Sequence, residues 1–206
     1  MRIDEWLYAK GYFESRSRAK TAIRKGFVLV NGKKVKPSYD VKGNEKIDVL
    51  TGSYPAGYFK LMELDALWDL FTGDEVVLDL GSSAGGFLLY TSEKAKMVFG
   101  IEYSMEFEGE LRKIESEKEN VKIFIADAFT FDISLLPELD LILCDMTLEP
   151  EDALKALNRF LPRLKKDRNI VFVSKEREMN FDELQVIDSI KGKNKKEWYY
   201  LLRKIH

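Results

Sequence analysis

The sequence predicts an α/β protein: a mainly parallel sheet covered by helices on both faces, preceded by a small α+β module. Three observations carry this expectation. Beyond Pro55, continuous apolar runs alternate with helical periodicities, as in parallel strands buried on both faces. Before it, two short helical segments lead into a hairpin signal. Charge divides the chain at about the same place: residues 1–50 carry 12 Lys/Arg against 6 Asp/Glu, and the remaining 156 carry 21 against 29. A basic head on an acidic body is the distribution expected when the head meets nucleic acid and the body does other work.

In the head, Ile3, Trp6 and Leu7 recur at helical spacing, and Gly11 follows as a C-cap. Ser15 is placed to N-cap a second helix, with Ala19, Ala22 and Ile23 facing inward and Gly26 ending it. Phe27–Val30 reads as a strand, Asn31-Gly32 as a tight hairpin turn, and Lys33-Lys34-Val35 as the return. Ile47–Leu50 makes a last strand. Turn chemistry thickens at Thr51-Gly52-Ser53 and Pro55, which puts the boundary between a domain at 1–52 and a second at 53–206.

In the body, strands are expected at 76–80, 97–102, 121–126, 139–144, 169–174 and 196–203. Helices are expected at 58–71, 85–94, 105–116 and 150–160. Residues 179–195 give no single pattern; a short helix followed by a strand at 185–189 fits them best.

Composition removes several classes of function. A 45% hydrophobic content is that of a globular chain. No apolar run approaches the ~18 residues of a membrane span, and charge from Arg2 onward argues against a signal peptide. No membrane partner is therefore expected. The lone Cys144 has no internal disulfide partner, which points to a reducing, cytoplasmic setting. With His206 the single histidine, neither a His-based metal site nor a Ser-His-Asp triad is expected.

The most informative stretch is Val76–Phe87, a strand, a Gly-rich turn and a helix start. Gly81, Gly85 and Gly86 would let backbone approach a ligand closely, and Ser82, Ser83 and Phe87 belong to the same turn. The spacing is neither G-x-G-x-x-G nor a P-loop. Asp79 at the strand end would repel phosphate but suit an ammonium group. Glu102 ends the next strand, where a carboxylate can accept both hydroxyls of a ribose. Asp127 follows the third and could accept from an adenine amino group. Ammonium, ribose and adenine in that order describe S-adenosylmethionine.

Arg2-Ile3-Asp4, Ser15–Lys20, Ile23, Gly26 and Val28–Lys33 together resemble the S4 RNA-binding domain. The cations this implicates in RNA contact are Arg2, Arg16, Arg18, Lys20, Arg24 and Lys25, with Lys33 and Lys34 at the hairpin. The body resembles Rossmann-like methyltransferases, and more narrowly the FtsJ-type and TlyA-type (haemolysin-A-like) RNA 2′-O-methyltransferases; an S4 head on such a body is the TlyA arrangement. The resemblance implies a Lys-Asp-Lys-Glu tetrad of Lys60 in Tyr58–Leu61, Asp145 after the fourth strand, Lys175 ending the fifth and Glu197 opening the last. Asp145 also falls beside the expected cofactor site. Ser83-Ala84-Gly85-Gly86 departs from the FtsJ pattern by lacking its proline. The segment between Lys175 and Glu197 is shorter than is typical of TlyA proteins, which bears on the choice of target nucleotide.

What the resemblance implies is S-adenosylmethionine-dependent methylation of a ribose 2′-hydroxyl, with ribosomal RNA as substrate. A hydroxyl is a poor nucleophile at neutral pH, and a lysine can take its proton only if its own pKa is lowered. Lys175 is the expected base, lowered by its neighbour Lys60, and Lys60 the group that orients the hydroxyl. The rival function is an inactive RNA- or ribosome-binding assembly factor, which loss of any of these residues would have favoured. Cys144, Trp6, Trp68 and Trp198–Tyr200 read as packing residues, and Glu106 to Glu119 as a solvated face. Lys191, Lys193, Lys195 and Lys196 serve either solubility or RNA guidance.

Overall fold

The computed structural model describes residues 1–50, 54–192 and 196–204, and its contacts divide the chain into Met1–Pro55 and Ala56–His206. The boundary expected at 52/53 lies outside the described residues.

The first unit opens with α1 (Ile3–Ala9), whose C-cap is Lys10; Gly11, expected there, follows one residue on with φ +77°. In α2 (Arg16–Lys25) the Ser15 hydroxyl accepts from the Arg18 N–H, and Gly26 ends the helix in the left-handed region that costs glycine least. Ile3, Leu7, Ala19, Ala22 and Ile23 are buried. Strands β1 (Val28–Val30), β2 (Lys33–Lys34) and β3 (Ile47–Val49) form an antiparallel sheet in the order β2-β1-β3. Asn31 and Gly32 join β1 to β2 with φ of +50° and +73°, the twist that suits a two-residue hairpin.

The second unit starts with α3 (Ala56–Trp68) and continues as β4 (Val76–Leu80), α4 (Gly86–Ser92), β5 (Met97–Glu102), α5 (Glu108–Glu117), β6 (Val121–Ile125), β7 (Leu139–Cys144), α6 (Pro150–Phe160), β8 (Leu164–Lys175), β9 (Leu184–Lys191) and β10 (Glu197–Lys204). The sheet runs β6-β5-β4-β7-β8-β10-β9; β4 to β8 are parallel to one another, and β10 is antiparallel to both β8 and β9. Leu78, Leu80, Ile142, Cys144, Phe160 and Phe172 belong to its core, so the lone cysteine packs as a small apolar residue.

Three expectations need correction. Residues 179–183 form no helix, and the following strand spans Leu184–Lys191, longer than 185–189. As the outer strand of the sheet it is mostly exposed, which hides the buried-strand signal. Strand β8 begins at Leu164, not 169, because Lys165 and Arg168 at its start reach Asp140 across the sheet and disguise it as a loop. The helix expected from 105 begins as a 3-10 turn at Met105–Phe107 before α5.

Candidate active site and the basic face of the head

Parallel strands present their C-terminal ends to one rim of the sheet, where α/β proteins gather their chemistry. Gly81 follows β4, Glu102 ends β5, Asp127 follows β6, Asp145 follows β7 and Lys175 ends β8. Because β10 runs the other way, its first residue, Glu197, pairs with Lys175 at the same rim.

A cleft of about 580 Å³ opens there, lined by Gly81, Ser83, Glu102, Asp127, Phe129 and Met146 among others. Gly81 has φ +79°, and a Cβ there would stand 3.0 Å from the Met146 Cα, so both backbone and space require glycine. Glu102 ties the two walls together: Oε2 accepts from the Ser83 N–H and Oε1 from the Ser104 N–H, both at 2.7 Å. Asp127 Oδ1 accepts from the Phe129 N–H at 2.8 Å.

Of the other residues expected to contact a cofactor, Asp79, Ser82, Gly85, Gly86, Phe87 and Asp145 do not line this cleft. A Cβ on Gly86 would meet the Tyr58 N at 2.6 Å and the Gly57 Cα at 2.8 Å, and one on Gly85 would strike Ile114. Close packing of α4 against α3 and α5 therefore accounts for these two glycines. Phe87 is buried, and the Ser82 hydroxyl donates to the Asp79 carbonyl.

Asp79 is fully buried, and neither carboxylate oxygen has a hydrogen-bond partner among the described residues. Burial, with the nearby charges of Asp145 and Glu102, pushes its pKa up to about 8. An orphaned acid here calls for a proton or a cation. Glu102 retains acceptor capacity beyond its two N–H partners. Glu102 and Asp127 line the cleft over an apolar wall, with Asp79 buried behind Gly81, a set of acids that suits the cationic nucleoside S-adenosylmethionine.

The four tetrad residues come together beside the cleft. Lys60, buried on α3, lies 2.6 Å from Asp145 Oδ2 and 3.3 Å from Glu197. Lys175 donates to Asp145 Oδ1 and, at 3.1 Å, to Glu197 Oε1. It also lines a small pocket that shares Thr147 and Leu148 with the main cleft. Tyr199, read from the sequence only as a packing residue, donates to Glu197 Oε2 at 2.6 Å. Its position two residues after Glu197 on the same strand was the available signal. Burial alone would raise the Glu197 pKa, but Tyr199, Lys60 and Lys175 hold it down to about 2.

The expectation of a lowered Lys175 pKa is not met. Burial pulls it down, yet the Asp145 and Glu197 carboxylates outweigh burial and hold it above the ordinary lysine value. Two acids face the two lysines, so the Lys60 charge is already neutralised.

In the head, fully buried Asp4 gathers three of the expected cations: Arg2 Nε at 2.9 Å, Arg16 Nη2 at 3.1 Å and Lys20 Nζ at 3.7 Å. Burial would raise its pKa, but the hydrogen bonds and charges of Arg2 and Arg16 hold it below the usual carboxylate value. Arg16 also pairs with Glu5, and Arg18 with Glu14. Arg24, Lys33 and Lys34 are exposed, and Lys25 is partly so. Of the lysines near Glu197, Lys191 lies over the Trp198 ring, while 193 and 195 lie outside the described residues.

Sheet order, the single reversed strand and the rim cleft define a Rossmann-like methyltransferase fold. Residues 56–162, more than half of the chain, match the FtsJ-like methyltransferase family, and residues 1–47 match the S4 domain. The chain belongs to the FtsJ-like methyltransferase family. Hemolysin A of Brachyspira hyodysenteriae is 37% identical over 91 residues, 42% of this chain and 38% of that protein. Small ribosomal subunit protein uS4A of Clostridium botulinum is 44% identical over 61 residues, 29% of this chain and 30% of that one. The chain thus aligns with less than two-fifths of either relative's length. A solved Streptococcus thermophilus structure described as a hemolysin matches 100% of this chain and 88% of its own at a TM-score of 0.59 and 18% identity, a likeness of fold. These relatives agree with the TlyA-type resemblance. Among the described residues, no helix is long and apolar enough to cross a membrane.

Proposed function

We propose that the protein transfers a methyl group from S-adenosylmethionine to a ribose 2′-hydroxyl of RNA, with ribosomal RNA as the substrate. The observation that carries this reading is the convergence of Lys60, Lys175, Asp145 and Glu197 next to the cleft. The cofactor, when bound, supplies an electrophilic methyl group on a sulfonium and a neutral thioether as leaving group.

In this reading Glu102 accepts the cofactor's ribose hydroxyls, Asp127 its adenine amino group, and Asp79 balances its positive charge. Gly81 and Ser83 give it backbone to lie against. Lys60, held between Asp145 and Glu197, orients the target hydroxyl. Lys175, more exposed than Lys60 at 26% against 10%, takes the proton as the oxygen–carbon bond forms and the sulfur–carbon bond breaks. Its pKa is raised in the free protein, so it needs help to act as a base. The tetrad's two positive and two negative charges cancel; a neutral Lys175 leaves the group at −1, which a cation at the cofactor end of the cleft offsets.

The head supplies affinity. Its cations meet the phosphate backbone, and the alignment with a ribosomal protein favours ribosomal RNA as the partner. The division of labour implies two domains meeting near residue 52. Isothermal titration of the full chain with S-adenosylmethionine tests the cofactor assignment: a fitted binding isotherm supports it, and no heat of binding removes the enzyme reading in favour of an RNA-binding assembly factor.

A further inference from the structure

Arg2, Arg16 and Lys20 all lie within 3.7 Å of one carboxylate that is itself fully buried. Three cations this close repel each other, and without an acid between them their side chains would splay into solvent. Asp4 cancels that repulsion while leaving the outer sides available: the three side chains keep 44%, 43% and 37% of their surface exposed. Arg2 engages Asp4 through Nε, and its two Nη groups remain as donors among the described residues. Arg16 spends Nη2 on Asp4 and Nη1 on Glu5 at the rim. Three positive charges against Asp4 and Glu5 leave +1, the complement of one phosphodiester.

Resting on the reading of the head as an RNA-binding unit, we infer that Asp4 is a positioning residue that holds Arg2, Arg16 and Lys20 together as a site for one phosphodiester of an RNA backbone. The gain is entropic: long basic side chains already fixed lose less freedom when the phosphate arrives. At position 2 arginine suits this task because it can face the carboxylate through Nε and a phosphate through its two Nη groups.

The sign of one substitution separates this idea from bulk electrostatics. Asp4→Asn removes a negative charge from a basic face, so simple attraction predicts tighter RNA binding. Preorganisation predicts the reverse: affinity falls about tenfold, and the salt slope falls by roughly 0.7–0.9 because one phosphate fewer is neutralised. The test is filter binding of the full chain to labelled small-subunit ribosomal RNA over a salt series, with thermal melting as the control for folding. An Arg2→Lys/Arg16→Lys double variant conserves charge and removes the forks; it is expected to lose affinity similarly, and it decides alone if Asp4→Asn does not fold. Folded variants that bind as tightly as the parent, or more tightly, overturn the inference while sparing the RNA-binding reading. A parent that fails to bind RNA overturns both.

Discussion

Lys60 and Lys175 share the two oxygens of one carboxylate: Lys60 Nζ stands 2.6 Å from Asp145 Oδ2, and Lys175 Nζ donates to Oδ1 of the same group. The first lysine comes from a helix and the second from the end of a strand, so the fold alone brings them together. Glu197 closes the arrangement from the antiparallel last strand. Its charge balance makes the Lys175 proton hard to remove in the free protein, and the first prediction follows from that.

Lys175→Ala is expected to lower methyl transfer roughly 10²–10⁴-fold while leaving cofactor and RNA affinity close to the parent's. Lys175→Arg should restore little, because a guanidinium stays protonated. In the parent, single-turnover rates should climb as the pH rises toward the raised Lys175 pKa, since the unprotonated fraction grows. Full activity in the Arg variant would exclude Lys175 as the base.

Asp79 makes cofactor binding and stability depend on pH in opposite ways. Its folded pKa of about 8 lies above its ordinary value of 3.8, so between them the folded state holds a proton that the unfolded chain releases. Stability contributed by this group is complete below the lower value and declines as the pH rises through the higher one. Binding a cationic cofactor at neutral pH should expel that proton, so affinity should rise with pH and calorimetric heats should vary with buffer ionisation. Asp79→Asn should abolish both dependences and weaken binding by about 1–3 kcal/mol, as should Glu102→Ala without the pH effect. Cofactor affinity independent of pH through neutrality would place the cation elsewhere.

Gly86→Ala tests the packing account of the Gly-rich turn. The added Cβ would meet backbone atoms of α3 at 2.6 and 2.8 Å, contacts that flexible side chains cannot relieve. A cost of about 1–3 kcal/mol is expected, read as a lower melting temperature, despite alanine's better helix propensity. An unchanged melting temperature would mean that α3 and α4 do not approach so closely.

Reversing charge at Arg16, Arg18 and Arg24 should weaken RNA binding and flatten its salt dependence, because fewer counterions are released. Titration with S-adenosylmethionine should be unaltered. A salt slope equal to the parent's would count against the basic face.

Much of the molecule is legible in its residues because local and global signals agree. Ser15, Gly26 and Asn31-Gly32 each encode a backbone state that the structure adopts. The apolar runs of β4, β5 and β7 mark strands buried on both faces. The reading fails where long-range contacts decide. Lys165 and Arg168 look like loop residues until Asp140 is brought beside them. That Ile114 and Gly57 leave no room for a Cβ on Gly85 and Gly86 is likewise a long-range fact that the spacing does not carry. The charge state of Lys175 depends on how many acids surround it, a property of the assembled rim that sequence spacing does not encode. Asp4 is legible as part of Arg2-Ile3-Asp4, but the convergence of three cations on it appears only in the fold.

The most direct test is to incubate the protein with methyl-labelled S-adenosylmethionine and unmodified ribosomal RNA, then hydrolyse the product with alkali. A 2′-O-methyl group removes the hydroxyl that alkali needs for cleavage at that nucleotide. The account predicts label in alkali-resistant dinucleotides, lost with Lys175→Ala. Label recovered in mononucleotides would mean base methylation and would contradict it.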